Sequence, residues 1–326
     1  MTTRLATVAA TALLAATMLA GPAGAYTVYV SNEKDNTVSL IDTETLEVTK
    51  TVEVGNRPRG ITISLDGKHL FVCTSDDDTV QVYDAKTMEL LYDLPSGPDP
   101  ELFVLAPDGK LLYIANEDDA LVTVVDVESR KMVAEIPVGV EPEGMGVSPD
   151  GKFVVNTSET TNMAHIIDTA SHEIVENVLV DSRPRFAEFT PDGKELWVSS
   201  EIGGTVSVID MATKQITTKV EFEIAGVSKD AIQPVGVRIT KDGTKALVAL
   251  GPSNRVALVD TATKKVEKYL LVGQRVWQLA FTPDGKLAFS TNGNSNDVSV
   301  IDTATWEVTK SIPVGGLPWG VVVSPD

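Results

Sequence analysis

Seven short runs along the chain, VSLID, VQVYD, VTVVD, AHIID, VSVID, VALVD and VSVID, interleave apolar with small or polar positions. Each ends on an aspartate: Asp42, Asp84, Asp126, Asp168, Asp210, Asp260 and Asp302. This two-residue period predicts half-buried strands. The aspartates are 42 residues apart at every step except the fifth, which is 50. A second marker, an Asp-Gly pair suited to a tight hairpin with positive φ, keeps the same period at Asp66, Asp108, Asp150, Asp192, Asp242 and Asp284. Asp326 stands where a seventh would begin. Residues 26 to 37, YTVYVSNEKDNT, match the segment that follows each Asp-Gly elsewhere.

Four short runs in a unit of this length predict an all-β, seven-bladed β-propeller, with one four-stranded sheet per repeat. The N-terminal strand is expected to join the C-terminal blade and close the ring. An open solenoid would instead need atypical capping repeats. Residues 57 to 97 display one unit, with ITIS innermost, then HLFVCTS, VQVYD and, outermost, LLYDL. Antiparallel strands put the Asp-Gly turn and the turn after VQVYD on one face, here the bottom. The loop after the second strand and the loop carrying Arg57, Pro58 and Arg59 then share the top. The aspartates that recur in every blade read as turn formers whose carboxylates accept local backbone N–H groups.

Residues 26–326 are expected to form a single domain. Residues 1–25 read as a signal peptide: Arg4 precedes an Ala/Leu-rich core, and Ala23 and Ala25 make an Ala-x-Ala cleavage site ahead of Tyr26. The apolar run is short for a spanning helix, so a periplasmic or secreted product without membrane insertion is expected. A formal charge of −19 argues against nucleic acid or anionic membrane as partner, and leaves basic proteins or cations. The single cysteine, Cys73, lies mid-strand and reads as a buried filler.

The tetrapeptides YVSN (29–32) and YIAN (113–116), with SPDGK at 148–152, VSVIDTAT at 298–305 and IPVG at 312–315, resemble the YVTN family of β-propeller repeat proteins. The layout is similar to the subfamily associated with pyrroloquinoline quinone-dependent alcohol catabolism. That resemblance implies a non-enzymatic periplasmic accessory protein.

Function is expected where equivalent positions differ. After the proline of the top loop stand Arg59, Glu101, Glu143, Arg185, Val235, Trp277 and Trp319 (the proline itself is replaced by Val276 before Trp277), and two residues earlier Arg57, Asp99, Glu141, Arg183, Gln233, Arg275 and Leu317. Arg57, Arg59, Arg183, Arg185, Arg275, Trp277 and Trp319 are the candidate ligand-binding set: indole faces to stack on and guanidinium forks for carboxylates. A small organic anion such as pyrroloquinoline quinone fits that set. The rival is a protein partner, such as a basic cytochrome, docked on the acidic rim. The eight-residue excess falls in FEIAGVSKDA, 222–231, on the same face. His69, His165 and His172 are placed by alignment away from the top mouth. An enzyme reading, a metal-dependent lactonase-like hydrolase or lyase, would use calcium held by Asn116, Glu117, Glu159 and Glu201. A surface or adhesion module is a further alternative.

Overall fold

The computed structural model describes residues 25–325, so all but the last residue of the expected leader lies outside the described residues. The described residues form seven four-stranded antiparallel sheets and no α-helix. Blades 2 to 7 are continuous in sequence, spanning 58–95, 100–137, 142–179, 184–221, 237–271 and 276–313. Blade 1 draws on both ends of the chain. Its innermost strand is Pro318–Val323, and its other three are Thr27–Asn32, Thr37–Asp42 and Glu47–Glu53. Val28 pairs with Val323 and Val30 with Val321 across the join, so no blade is left with an open inner edge.

The core lies between blades. Counting one repeat at a time along the second strands gives Tyr29, Phe71, Tyr113, Val155, Trp197, Leu247 and Phe289, all buried. Phe71 packs with Phe103 and Ile114 of the next blade, and Phe289 with Val28 and Val321 across the closure. Burying each large side chain is worth about 1.5–3 kcal/mol. At Gly60, Gly144, Gly236 and Gly320 the backbone of the next blade comes too close for a side chain: a Cβ on Gly320 would stand 2.5 Å from the Arg59 carbonyl oxygen.

The bottom turns follow the expectation. Gly67, Gly151 and their counterparts have φ near 70°. The Asp42 carboxylate accepts the N–H groups of Glu44 and Thr45 at 2.9 and 2.8 Å, and Asp84, Asp126, Asp168, Asp210, Asp260 and Asp302 accept the N–H three residues on in the same way. Hydrogen bonds from Ser64, and from Lys68 backbone and side chain, hold Asp66 down to about 2.

The insertion at 222–231 does lengthen a top loop, but its first three residues are structural. Phe222 and Ile224 are buried, as is Ile232 just beyond it, and the Glu223 N–H donates to the Tyr269 hydroxyl at 3.0 Å. The following inner strand shrinks to Val237–Ile239.

Candidate functional site at the top mouth

One hydrogen bond recurs around the mouth. The residue after the second strand donates its N–H to the carbonyl of the residue two before the inner ring: Glu33 to Leu317, Ser75 to Arg57, Glu117 to Asp99, Glu159 to Glu141, Glu201 to Arg183 and Gly293 to Arg275, at 2.8–3.1 Å. All six acceptors have φ between 49° and 58° although none is glycine. Side chains of the preceding blade help hold them there. Asn36, Asp78, Asn162, Asn254 and Asn296 accept the N–H of Arg57, Asp99, Arg183, Arg275 and Leu317. The top loops thus form a rigid frame from which three rings of side chains project.

The inner ring closes the upper end of the central channel. Glu101, Glu143, Arg185, Val235 and Trp319 are buried, and the guanidinium groups are engaged by neighbouring carboxylates. Arg59 bonds Glu101 through Nη1 and Glu33 through Nε at 3.1 Å. Arg57 reaches Asp99 at 2.6 Å and Glu101 at 3.1 Å. Arg185 bonds Glu159 and lies 3.1 Å from Glu143 and 3.7 Å from Glu201. Arg183 sits 2.8 Å from Glu159 and 3.1 Å from Glu201. Arg275 spans to Glu201 and to Gln233, both at 2.7 Å.

The expected stacking wall is therefore largely covered. Trp319 is 1% exposed, with the Arg59 guanidinium 5.7 Å from its ring centre. Trp277, half-buried, lies 6.4 Å from Trp319 and carries the Arg275 guanidinium at 4.2 Å and that of Arg185 at 5.6 Å. The structure brings the seven candidate ligand-binding residues together, but as an ion-paired plug: the forks meant for a ligand already grip the protein's own carboxylates.

The four residues proposed for calcium do not converge. Asn116 is buried within its blade, donating to Ser96 and accepting from Thr123. Glu159 and Glu201 are taken up by arginines. Glu117 alone faces other carboxylates, those of Asp99 and Glu101. Burial, and then the charge of Glu143, raise Glu117 and push Glu101 far above the usual carboxylate range. Burial also holds Glu159 up to about 7 against the pull of Arg185. Around Arg59 and Arg185, burial opposes the charge, but the surrounding glutamates outweigh it and both guanidiniums stay charged.

Below the plug the channel is apolar, with a cavity of about 290 Å³ lined by Ile61, Val104, Met145 and Phe186 among others. Among the described residues its one ion pair is Glu188–Arg238 at 3.1 Å. No histidine enters either end: His165 accepts from the Gly139 N–H and meets Asn177 within its blade, while His69 opens the second strand of blade 2 and His172 lies in a bottom turn. Cys73 is fully buried and its thiol raised, first by burial.

Comparison with known proteins agrees with this architecture. Residues 1–117 match the YNCE-like beta-propeller family, and residues 102–178 match the Cytochrome D1 heme domain. A search of curated proteins returned no match. Among solved structures, Kuenenia stuttgartiensis hydrazine synthase is similar at TM-score 0.78 and 24% identity over 85% of this chain and 92% of that one. A Bacteroides fragilis protein proposed to be a 6-phosphogluconolactonase is similar at 0.77 and 21%, over 92% and 98%. The dihydro-heme d1 dehydrogenase NirN is similar at 0.67 and 16%, over 91% and 74%. At these identities the solved structures establish the fold alone. The chain is a seven-bladed β-propeller, similar over its first 117 residues to the YNCE-like propellers.

Proposed function

We propose that this propeller is a non-enzymatic binding or scaffold protein that docks a basic partner on the acidic part of its top face. The observation that carries this reading is the distribution of charge. The top loops of blades 2 and 3 present Asp76, Asp77, Asp78, Asp118 and Asp119, all exposed, and among the described residues Arg57, at 3.7 Å from Asp76, is the one cation they meet in an ion pair. The mouth beside them has spent its arginines internally. A rigid acidic field of this kind accelerates and orients association with a basic surface, and salt weakens it.

A haem protein is the natural probe, since the likenesses to a cytochrome d1 domain and to NirN concern haem proteins. With residues 1–25 read as a leader, and with the YVTN resemblance, we propose that the docking takes place in the periplasm and, in its most specific form, beside quinone-dependent alcohol oxidation. Pyrroloquinoline quinone itself is the less favoured occupant. To grip it, Arg59 and Arg185 would have to release Glu101 and Glu159, leaving buried carboxylates unpaired.

Titrating the chain with a basic c-type cytochrome tests the proposal. Binding is expected at about 0.01 M salt, where the screening length is about 30 Å, and should weaken strongly near 0.15 M, where it is about 8 Å. Asp76→Asn with Asp118→Asn should reduce it further. Failure to associate at low salt, or association indifferent to salt and to both substitutions, would remove the docking face.

A further inference from the structure

We propose that the lower end of the channel is a binding site for a small organic acid, an apolar body with one carboxylate, whose head is taken by Arg238. Two cavities, of about 290 and 650 Å³, open there, and Arg238 lines both. Ligand pockets are typically about 300–1,000 Å³. The smaller is lined chiefly by the inner strands of blades 2 to 5 and the larger by those of blades 6, 7 and 1. Between them all seven blades contribute to one vestibule.

The fold itself asks little of the position that Arg238 occupies. Its equivalents are Thr62, Val104, Gly146, Ala280 and Val322, small or apolar in five blades, and Glu188 in blade 5. One residue further on, the side chain is apolar in all seven, from Ile63 in blade 2 round to Val323 in blade 1. A half-buried ion pair between apolar walls gains little stability over apolar side chains in its place. Packing therefore does not account for the two charges.

The pairing also leaves Arg238 half used. Its Nη1 donates to Glu188 at 3.1 Å and to the Val237 carbonyl at 3.2 Å, whereas Nε and Nη2 have no hydrogen-bond partner among the described residues. Those two groups form one edge of the guanidinium, the geometry that grips a carboxylate bidentately. The Phe186 ring, its centre 4.5 Å away, braces the plane of the group, and with 30% of the side chain exposed the free edge can be reached.

Nothing at this end turns an anion away. Around the larger cavity Arg238, Lys241 and Lys286 balance Glu188, Asp242 and Asp284. At five of the six Asp-Gly turns a lysine two residues on lies 2.8–3.7 Å from the aspartate. The acidic loops that would dock a basic partner are on the opposite face, so the two readings stand or fall separately.

Hexanoate is the probe, with hexanol as the same chain lacking the carboxylate. Titration calorimetry of the full chain at neutral pH should show hexanoate binding at about 1 mM or tighter, within reach of a ligand of about eight non-hydrogen atoms. Hexanol should bind about tenfold or more weakly, for want of the charge-assisted contact. Glu188→Val with Arg238→Val gives both positions the residue that blades 3 and 1 already carry as Val104 and Val322, so the fold should tolerate it. Hexanoate should then lose about tenfold or more in affinity, while hexanol keeps its own. No heat from hexanoate at about 10 mM, tenfold beyond that limit, would overturn the assignment. So would equal binding of acid and alcohol, or hexanoate binding that survives the double substitution. The comparison with the alcohol needs no variant and decides the matter whatever the double substitution does to stability.

Discussion

Replacing Arg185 with methionine tests the plug directly. The substitution keeps most of the side-chain volume and removes one charge, so what is measured is the loss of electrostatic compensation. Arg185 serves Glu143, Glu159 and Glu201, and the four side chains are between 2% and 5% exposed. Breaking a pair at that depth leaves an uncompensated buried charge and costs about 3–5 kcal/mol, against about 0–1 kcal/mol for an exposed pair. At about 2–4 °C per kcal/mol for a chain somewhat smaller than this one, the melting temperature should fall by roughly 6–20 °C. Urea denaturation gives the free energy independently. At a pH well above the Glu159 value of about 7, where that carboxyl is ionised, adding Glu159→Gln to Arg185→Met should restore part of the loss, because it removes one of the stranded charges, and the cycle isolates the coupling between the two. A loss below about 1 kcal/mol, or a double variant no more stable than the single, would mean the guanidinium is solvated like a surface pair and that the mouth is open to water.

Acid dependence should show two limbs. Glu159, raised to about 7 from 4.5, keeps in the folded state a proton that the unfolded chain gives up, so stability should decline as pH rises between those values, and Glu159→Gln should flatten the decline. Asp66, Asp150 and Asp192, lowered to about 2, stabilise the fold above their unfolded value of 3.8 and lose that contribution as pH falls towards 2; melting curves across pH 2–8 report both limbs. Gly320→Ala forces a Cβ to within 2.5 Å of the Arg59 carbonyl and should cost about 1–3 kcal/mol in urea denaturation; a neutral result would show that blades 1 and 2 can part without penalty. Removing everything before Thr37 strips Thr27–Asn32 from between Thr37–Asp42 and Pro318–Val323 and should yield association or unfolding by size-exclusion chromatography, whereas a monomer with an unchanged melting point would argue against ring closure.

The architecture was readable because it is periodic. Alternation, the Asp-Gly turns and the steps of 42 and 50 residues fixed strand order, faces and closure, and all are local or repeated signals. The self-pairing of the mouth was half readable. Residues one repeat apart at the same position are neighbours in the ring, so the opposite charges of Arg59 and Glu101, or Glu143 and Arg185, already implied contact. The bond from Arg275 to Glu201 was not legible in that way. It passes across blade 6, where Val235 and Gly251 leave room, and depends on how far a guanidinium can reach. Of the four residues offered for calcium, Asn116 turns into its own blade and Glu159 and Glu201 are held by arginines. Ring position says which blade a carboxylate is on, not whether an arginine has already claimed it. The asparagines at 36, 162, 254 and 296 brace the next blade's loop, and neither the alternation nor the turn spacing singles them out.

The six non-glycine residues held near φ 49–58° make the rim interchangeable. A left-handed residue other than glycine costs about 1–2 kcal/mol, and here that strain is carried alike by Arg57, Asp99, Glu141, Arg183, Arg275 and Leu317. What keeps them in place is main-chain bonding, through the carbonyl to the following top loop and, at five of the six, through the N–H to the preceding blade. None of these bonds consults the side chain. Cationic, anionic and apolar residues therefore occupy one conformation within one molecule. The charge written on the face is thus separable from the scaffold that displays it, and new recognition properties could be engineered at these positions without redesigning a loop.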